Sequence, residues 1–253
     1  MTLPLGFAKV SAHTEQLNNN MRTKTILLTA ALVAAGVASS MAQSNVYSLN
    51  VVGYVNLSLT NGLNAIANPL DLDGTGTNNT LISVFSTNLP KSTTIYLFDT
   101  SDGQFDISAN YNKNGVWANG TQPFNPGQGA FVLIGATVPT PLTVTLVGQV
   151  LQGTNLVNTN LTVGSGSDVL SFVSSIAPIS SAVDAAGNGG LNFTLPHSST
   201  VYFYDNTLNP PGYDIYTYNK NGVWGPSDPV IAVGQGFFVS TSTNSWVQSF
   251  TVQ

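Results

Sequence analysis

The sequence predicts an all-β protein built from two tandem, duplicated units of β-sandwich or partly closed barrel type, each with at most one short helix. The first observation is a repeat: residues 111–117 read Tyr-Asn-Lys-Asn-Gly-Val-Trp and return unchanged at residues 218–224, an offset of 107 residues. Seven identical residues in a row indicate an internal duplication. The second observation is composition. Charged residues make up only 7% of the chain, so the usual helix formers are scarce, while Val, Thr, Tyr and Phe favour strands.

The repeat extends to both sides of this heptapeptide. Residues 127–132 (Gly-Gln-Gly-Ala-Phe-Val) match residues 234–239 (Gly-Gln-Gly-Phe-Phe-Val) at the same offset of 107. Upstream, residues 95–99 match residues 201–205 at an offset of 106. Nearly constant offsets indicate one framework used twice, with small length changes confined to surface loops.

Further upstream the offset drifts, and residues 52–55 (Val-Gly-Tyr-Val) align with residues 147–150 (Val-Gly-Gln-Val). On this alignment we place a first β unit at residues 43–146 and a second at residues 147–253. About 100 residues in each unit is enough to bury a core of its own.

The N-terminal part of the sequence predicts export. Arg22 and Lys24 precede an apolar stretch at residues 26–37, which is too short to anchor the chain in a bilayer. Small residues then mark a cleavage site after Ala42. We therefore predict a signal peptide at residues 21–42 and interpret residues 1–20 as a spurious N-terminal extension. The protein is expected outside the inner membrane: extracellular, on the cell surface or periplasmic.

The charge of the exported chain excludes several functions. Residues 43–253 hold three lysines and ten aspartates, a net charge of −7, and the chain has no cysteine. Nucleic-acid binding and polybasic membrane binding need clusters of cations, which this composition lacks. We expect no nucleic acid as partner and no membrane span in the mature chain. A weakly charged polar surface also makes self-association easier.

Strands follow from alternating apolar and polar residues broken by turn residues. The pattern predicts strands at residues 46–55, 63–67, 94–98, 105–111, 116–117, 130–134 and 142–146. Thr80 before an apolar cluster at residues 81–85 predicts an N-capped short helix. Ser180 and Ser181 predict its equivalent in the second unit.

Two hairpins are indicated by Asp102-Gly103 and Asn114-Gly115. Such pairs favour type I′ turns, in which both central residues take a positive φ. The second unit keeps Asn221-Gly222 and replaces the other pair with a longer proline-rich turn.

Three motifs in each unit carry a resemblance to a known repeat. In the first unit they are residues 64–70 (Asn-Ala-Ile-Ala-Asn-Pro-Leu), 95–99 (Ile-Tyr-Leu-Phe-Asp) and 126–132 (Pro-Gly-Gln-Gly-Ala-Phe-Val). Their order resembles a β repeat of secreted and surface-layer-associated bacterial proteins, over about residues 62–134 and 169–240. The resemblance implies a compact β domain used as a structural or adhesive module, and it implies no catalytic residues. We expect no cofactor other than calcium, for which a candidate site is described below.

Repeated aromatic residues are the candidate ligand site. Trp117, Trp224, Tyr111 and Tyr218 flank the Asn-Gly turns, and aromatic faces bind sugar rings through apolar contact. Alternatively, each Tyr and Trp forms a cross-strand pair that closes its hairpin.

Asp71 and Asp73 are the candidate metal ligands. They lie in the segment Asp-Leu-Asp-Gly-Thr-Gly-Thr-Asn, where alternating carboxylates with glycine are able to wrap calcium. A plain Gly/Asp turn is the alternative, because the loop lacks the third acid and the closing glutamate of an EF-hand.

Catalytic sets are poorly represented. His197 is the only histidine of residues 43–253, and Lys91 occupies the equivalent place in the first unit. The aspartate pairs 99 and 106, or 205 and 214, suit glycosidase chemistry in residue type, but strand-end aspartates more often bond to turn amides.

The sequence therefore favours a non-catalytic, secreted or cell-surface structural or interaction protein. Its expected partners are other surface or matrix proteins, or glycans. A carbohydrate-binding module using the Trp and Tyr platforms is the alternative, with a glycoside hydrolase third.

Overall fold

A computed structural model describes residues 51–161, 170–243 and 246–252 of the chain. The predicted signal peptide, the cleavage site at Ala42 and the start of the first predicted strand lie outside these residues. The described residues form strands and a single short helix, α1 (Leu81–Phe85), which confirms the all-β prediction. The strands of the first half are β1 (Val52–Leu59), β2 (Gly62–Ala67), β3 (Thr93–Asp99), β4 (Gln104–Tyr111), β5 (Trp117–Ala118), β6 (Gly129–Ile134) and β7 (Leu142–Gln149).

The strands of the second half follow in a similar order. They are β8 (Gly153–Asn158), β9 (Leu170–Val173), β10 (Ser181–Ala182), β11 (Thr200–Asp205), β12 (Gly212–Tyr218), β13 (Trp224–Gly225), β14 (Val230–Ile231), β15 (Phe237–Ser240) and β16 (Trp246–Phe250). In the described residues none of the helices is long and apolar enough to cross a membrane.

The first half is a sandwich of two antiparallel layers. Its five-stranded sheet has the order β2-β6-β3-β4-β5, and its second layer is the ribbon of β1 and β7. Alternate residues of the sheet, such as Ile95 and Val132, face the ribbon and pack with Leu57 and Leu146 in a buried core. The helix α1 contributes Leu81 and Phe85 to the same core, so burial of both layers on one core stabilises this half.

The second half repeats this arrangement of layers. Its five-stranded sheet has the order β9-β15-β11-β12-β13, and a ribbon of β8 and β16 accompanies it. The core contains Val201, Val239 and the ring pair Phe193 and Trp246, which stack with centroids 4.2 Å apart. A short pair, β10 with β14, corresponds to the bridge between Thr80 and Pro123, which comes just before α1 in the first half.

An aromatic layer joins the two five-stranded sheets. Residues that alternate with the core residues point to the opposite face of each sheet, and Phe131, Phe172 and Phe238 are buried there together. Phe172 and Phe238 stack at 4.2 Å. Each sheet keeps two edge strands and is not closed into a barrel, so the architecture is sandwich-like.

The helix prediction is confirmed in the first half and wrong in the second. Thr80 caps α1, and its hydroxyl accepts a hydrogen bond from the Ser83 N–H at 3.3 Å. Ser181 instead belongs to β10, and the Val183 N–H donates to the carbonyl of Pro229. The segment that follows is rich in glycine, which disfavours a helix.

The hairpin turns were placed correctly, but their type is not I′. Gly115 and Gly222 have φ of 77° and 74°, whereas Asn114 is not among the residues with positive φ. The Gly115 N–H donates to the Asn112 carbonyl, and the Asn112 N–H donates to the Val116 carbonyl. This is a type I turn followed by a glycine bulge, which needs positive φ at one residue only.

Residues 52–55 and 147–150, which align in the sequence, are paired in space. In the β1–β7 ribbon Gly53 lies opposite Gly148 and Tyr54 lies opposite Val147. The strand β7 therefore continues past the predicted boundary at residue 146, to Gln149.

Backbone contacts between the two halves are reciprocal. The Ala67 N–H donates to the Gly234 carbonyl at 2.8 Å, and the Ser174 N–H donates to the Gly127 carbonyl at 2.9 Å. The two donors, Ala67 and Ser174, are 107 residues apart, and so are the two acceptors, Gly127 and Gly234. The same contact is therefore made twice, once in each direction. Two β-bridges, Ile66 with Gln235 and Gln128 with Val173, obey the same rule. Reciprocity of this kind is the mark of a twofold, self-complementary interface.

Glycine is required where the halves meet. A Cβ on Gly129 would lie 2.6 Å from the Phe172 ring, and a Cβ on Gly236 would lie 2.4 Å from the Ile66 carbonyl oxygen. Both glycines belong to the repeated Gly-Gln-Gly segment, so this segment sets how closely the two sheets approach.

We expect Gly236→Ala to destabilise the protein by about 1–3 kcal/mol, because the added methyl overlaps a backbone atom that cannot rotate away. Gly135→Ala is the matched control, since the nearest atom to its Cβ is 4.0 Å away. Denaturant unfolding of both variants measures the difference. Equal free energies of unfolding would show that a methyl group at residue 236 causes no steric overlap.

Candidate functional site

The aromatic pair of the first hairpin bridges β4 and β5. Tyr111 and Trp117 lie opposite each other, with ring centroids 5.2 Å apart. Tyr111 is 5% exposed, and Trp117 is half-buried with its indole N–H donating to the Ser86 carbonyl at 2.9 Å. In this half the tyrosine belongs to the core, and the tryptophan keeps part of its surface accessible.

The second hairpin has the same pair with the exposure reversed. Tyr218 and Trp224 lie opposite each other with centroids 5.0 Å apart. Here Trp224 is 5% exposed, its indole N–H donates to the Asp184 carboxylate at 3.3 Å, and Tyr218 is half-buried. The geometry matches a cross-strand pair that closes each hairpin. Ligand binding at these four residues stays a prediction.

The carboxylates of Asp71 and Asp73 accept hydrogen bonds from other residues of the same loop. Asp71 is buried, and its oxygens accept from the Gly76 N–H and from the Asn79 amide, both at 3.0 Å. Asp73 accepts from the Thr75 hydroxyl, the Thr75 N–H and the Asn78 amide. The Thr75 hydroxyl, followed by the Asn78 amide, lowers the pKa of Asp73 below its usual value.

These bonds make the segment an Asx-type turn in this structure. In the described parts of the chain no three His, Cys, Asp or Glu side chains lie close enough together to hold a metal ion. Calcium at Asp71 and Asp73 stays a prediction from the sequence.

The strand-end aspartates form matching turns. The Ser101 N–H donates to Asp99 at 2.8 Å, and the Thr207 N–H donates to Asp205 at 2.7 Å. Hydrogen bonds from the Ser101 and Thr207 side chains, then from their N–H groups, lower the pKa of both carboxyls. A glycosidase general acid needs a raised pKa, so these two carboxyls fit the turn interpretation.

His197 and Lys91 occupy equivalent turns beside the two hairpins. The Ser92 N–H donates to the Tyr111 carbonyl and the Ser198 N–H donates to the Tyr218 carbonyl, both at 2.6 Å. Ser92 and Ser198 both have φ of 70°. The exposed His197 ring lies against Tyr218, with centroids 5.5 Å apart, so each turn presents a basic side chain next to the hairpin tyrosine.

Two aromatic clefts lie along the layer between the sheets. One, of about 390 Å³, is lined by Phe98, Gly103, Phe105, Leu170, Tyr202, Tyr213 and Phe238. The other, of about 410 Å³, is lined by Leu63, Tyr96, Phe105, Phe131, Leu133 and Tyr213. Their volumes fall in the usual range for small-ligand sites, and none of the described residues that line them is charged.

The clefts correspond to each other across the two halves. Leu63, Tyr96 and Phe131 of one cleft match Leu170, Tyr202 and Phe238 of the other at offsets of 106 or 107 residues. Tyr213, which lines both, is 42% exposed, and burial of its hydroxyl followed by the nearby Tyr204 raises its pKa.

Sequence reasoning missed these clefts, although a signal was present. Residues 95–98 and 201–204 are apolar or aromatic at every position, with no alternation. Such a strand is covered on both faces, so the aromatic residues that do not face the core indicate a second packed surface.

No family model matches this chain, and neither does any curated protein or solved structure.

We predict that Trp224→Ala costs more stability than Trp117→Ala. Truncating a buried tryptophan removes about 3–5 kcal/mol, whereas the half-buried Trp117 loses less apolar contact. Thermal unfolding of the two variants measures this, with wild type as reference. Equal melting temperatures would contradict the asymmetry in burial.

Proposed function

We propose that the protein is an exported, non-catalytic structural or interaction protein built from two copies of one β unit. The two halves have corresponding strand orders, β2-β6-β3-β4-β5 and β9-β15-β11-β12-β13. This supports the duplication that the repeated heptapeptide indicates. Export is inferred from residues 21–42 of the sequence. The resemblance to β repeats of secreted and surface-layer-associated bacterial proteins points to the same class.

The single observation that carries the proposal is the reciprocal joint between the halves. Backbone bonds at Gly127 and Gly234, together with the shared aromatic layer, fix the two sheets to each other. A rigid framework of this kind displays its surface features at constant spacing, which lowers the entropy cost of binding an extended partner. Other surface or matrix proteins, glycans or further copies of the chain are the partners that we propose.

Retention on an extracellular matrix tests the proposal. The mature chain, residues 43–253, is mixed with insoluble cell-envelope or matrix material from a bacterium and sedimented. We expect saturable retention of the protein and no soluble product released by it. Release of oligosaccharides or peptides, detected by mass spectrometry, would contradict the non-catalytic assignment, and absence of retention on all material would contradict an interaction role.

A carbohydrate-binding module is the second candidate, and the two aromatic clefts favour it. Their uncharged, ring-rich walls with tyrosine hydroxyls suit a neutral sugar, which offers apolar faces and hydroxyl groups together. Tyr213 contributes to both clefts and lies 5.4 Å from Tyr204 and 6.1 Å from Phe238, measured between ring centroids.

For this candidate we expect Tyr213→Ala to weaken binding of neutral oligosaccharides by about tenfold, equivalent to about 1.4 kcal/mol. Tyr54→Ala is the matched aromatic control, because Tyr54 is 70% exposed on the separate β1–β7 ribbon. Isothermal titration against a glycan identified on an array makes the measurement. Equal losses of affinity in the two variants would show that the clefts are not the binding site.

A further inference from the structure

The identity between the two hairpins exceeds what their fold requires. Structure accounts for the tyrosine and tryptophan through their pairing, and for Gly115 through its positive φ of 77°. It also accounts for Asn112, whose side-chain oxygen accepts from the N–H groups of Asn114 and Val116 at 2.9 and 3.0 Å.

Three positions in each hairpin have no such role. Lys113, Asn114 and Val116 point to solvent, and so do Lys220, Asn221 and Val223. The two valines are 58% and 56% exposed, so they gain little stability from burial.

Neighbouring surface positions differ between the copies. On the strand that leads into the turn, Ser108 and Asn110 of the first half correspond to Ile215 and Thr217 of the second, judged by their partners across the sheet. The exposed residues therefore differ between β4 and β12, whereas those of the turn are identical in the two halves.

The cations of the exported chain are concentrated at the same two places. Residues 43–253 contain only Lys91, Lys113, Lys220 and His197 as basic side chains. Lys113 and Lys220 are in the turns themselves. A Cβ on Gly115 would lie 3.9 Å from the Lys91 amine nitrogen, and one on Gly222 would lie 3.9 Å from His197 Nε2.

The tyrosine hydroxyls complete each group. The same Cβ positions lie 3.4 Å from the Tyr111 hydroxyl oxygen and 3.3 Å from that of Tyr218. Each tip, defined as residues 111–117 with Lys91 or 218–224 with His197, therefore combines two basic side chains, a phenol hydroxyl and an exposed amide. Asp99 and Asp205 lie at the opposite ends of β3 and β11 from Lys91 and His197, whereas the Asp184 carboxylate contacts the second tip, where it accepts the Trp224 indole hydrogen bond.

We propose that the two tips are a matched pair of binding sites for an acidic polysaccharide. The amines and the imidazole bind carboxylates of uronic-acid residues, because charge-assisted hydrogen bonds are the strong ones. Asn114, Asn221 and the hydroxyl of the half-buried Tyr218 bond to sugar hydroxyls. The half-buried Trp117 and Tyr218 offer apolar surface to the sugar ring. Two sites on one rigid body suit a polymer whose acidic group recurs, since the second contact is then intramolecular.

This inference extends the proposed interaction role by naming a ligand class, and it is separable from that role. Retention on matrix material that does not depend on the tips leaves the proposed function in place and rejects this inference alone.

The test uses residues 43–253 and polygalacturonate, with the fully methyl-esterified polymer as a neutral counterpart. We expect binding to polygalacturonate only, weakening as salt rises, because exposed charges are screened within about 8 Å at physiological ionic strength. Lys113→Gln with Lys220→Gln should weaken binding by at least about tenfold, since both sites of a bivalent contact are lost. Lys113→Arg with Lys220→Arg keeps the charge and should bind within about threefold of wild type.

Single variants control for net charge. Lys113→Gln and Gln104→Glu each make the chain one unit more negative, but Gln104 begins β4 and Lys113 follows its other end. Only Lys113→Gln should weaken binding. Unchanged melting temperatures in all variants exclude unfolding as the cause.

Three results would overturn the proposal. They are no binding of polygalacturonate by the wild type, equal binding of the esterified polymer, and equal losses in Lys113→Gln and Gln104→Glu. Equal competition by poly-aspartate would reject the polysaccharide class in favour of an acidic protein surface.

Discussion

The close backbone approach at residues 127–129 and 234–236 governs the rest of this structure. Each segment begins a central strand of its own sheet and at the same time accepts a hydrogen bond from the other half. Side chains larger than hydrogen do not fit at Gly129 or Gly236. The two sheets are thereby brought near enough to bury the aromatic layer, and that burial in turn stabilises the joint. The centre of this face, at Phe131, Phe172 and Phe238, is buried in both halves.

The aromatic layer also explains the clefts beside it. Ring contacts between the halves are paired: Phe98 meets Phe238 at 5.2 Å, and Tyr204 meets Phe131 at 4.9 Å, both nearly edge-to-face. Edge-to-face packing of large rings covers the centre of the layer and leaves its margins open, where Tyr213 keeps much of its surface exposed. Substituting tyrosine for phenylalanine at such margins keeps the apolar packing and adds a hydroxyl that reaches water.

The sequence predicted what depends on neighbours along the chain. Alternation located the strands of the first half, and Thr80 located α1 through its own capping bond. Prediction was wrong where a longer-range contact decides, as at Ser181, which pairs with Ile231. The turn type was wrong because a bulge lets one glycine supply the positive φ that a type I′ turn demands of two residues. The joint and the clefts escaped prediction because they depend on contacts between residues far apart in the chain, such as Ala67 with Gly234 and Phe98 with Phe238, beyond any local pattern.

Buried core residues differ between the two halves, whereas the exposed residues of the two hairpin turns are identical. Core positions changed size between the halves, as at Leu97 and Phe203, because a packed interior tolerates exchanges that conserve its total volume. Residues 183–187, which correspond to α1, are not helical, yet the order of the large sheet is the same in both halves. An exposed lysine and valine on a turn have no packing to preserve, so the fold gives no reason for their identity in both halves. In a chain with so few cations, placing a lysine in each hairpin turn concentrates positive potential at the two tips, against a net charge of −7 for residues 43–253.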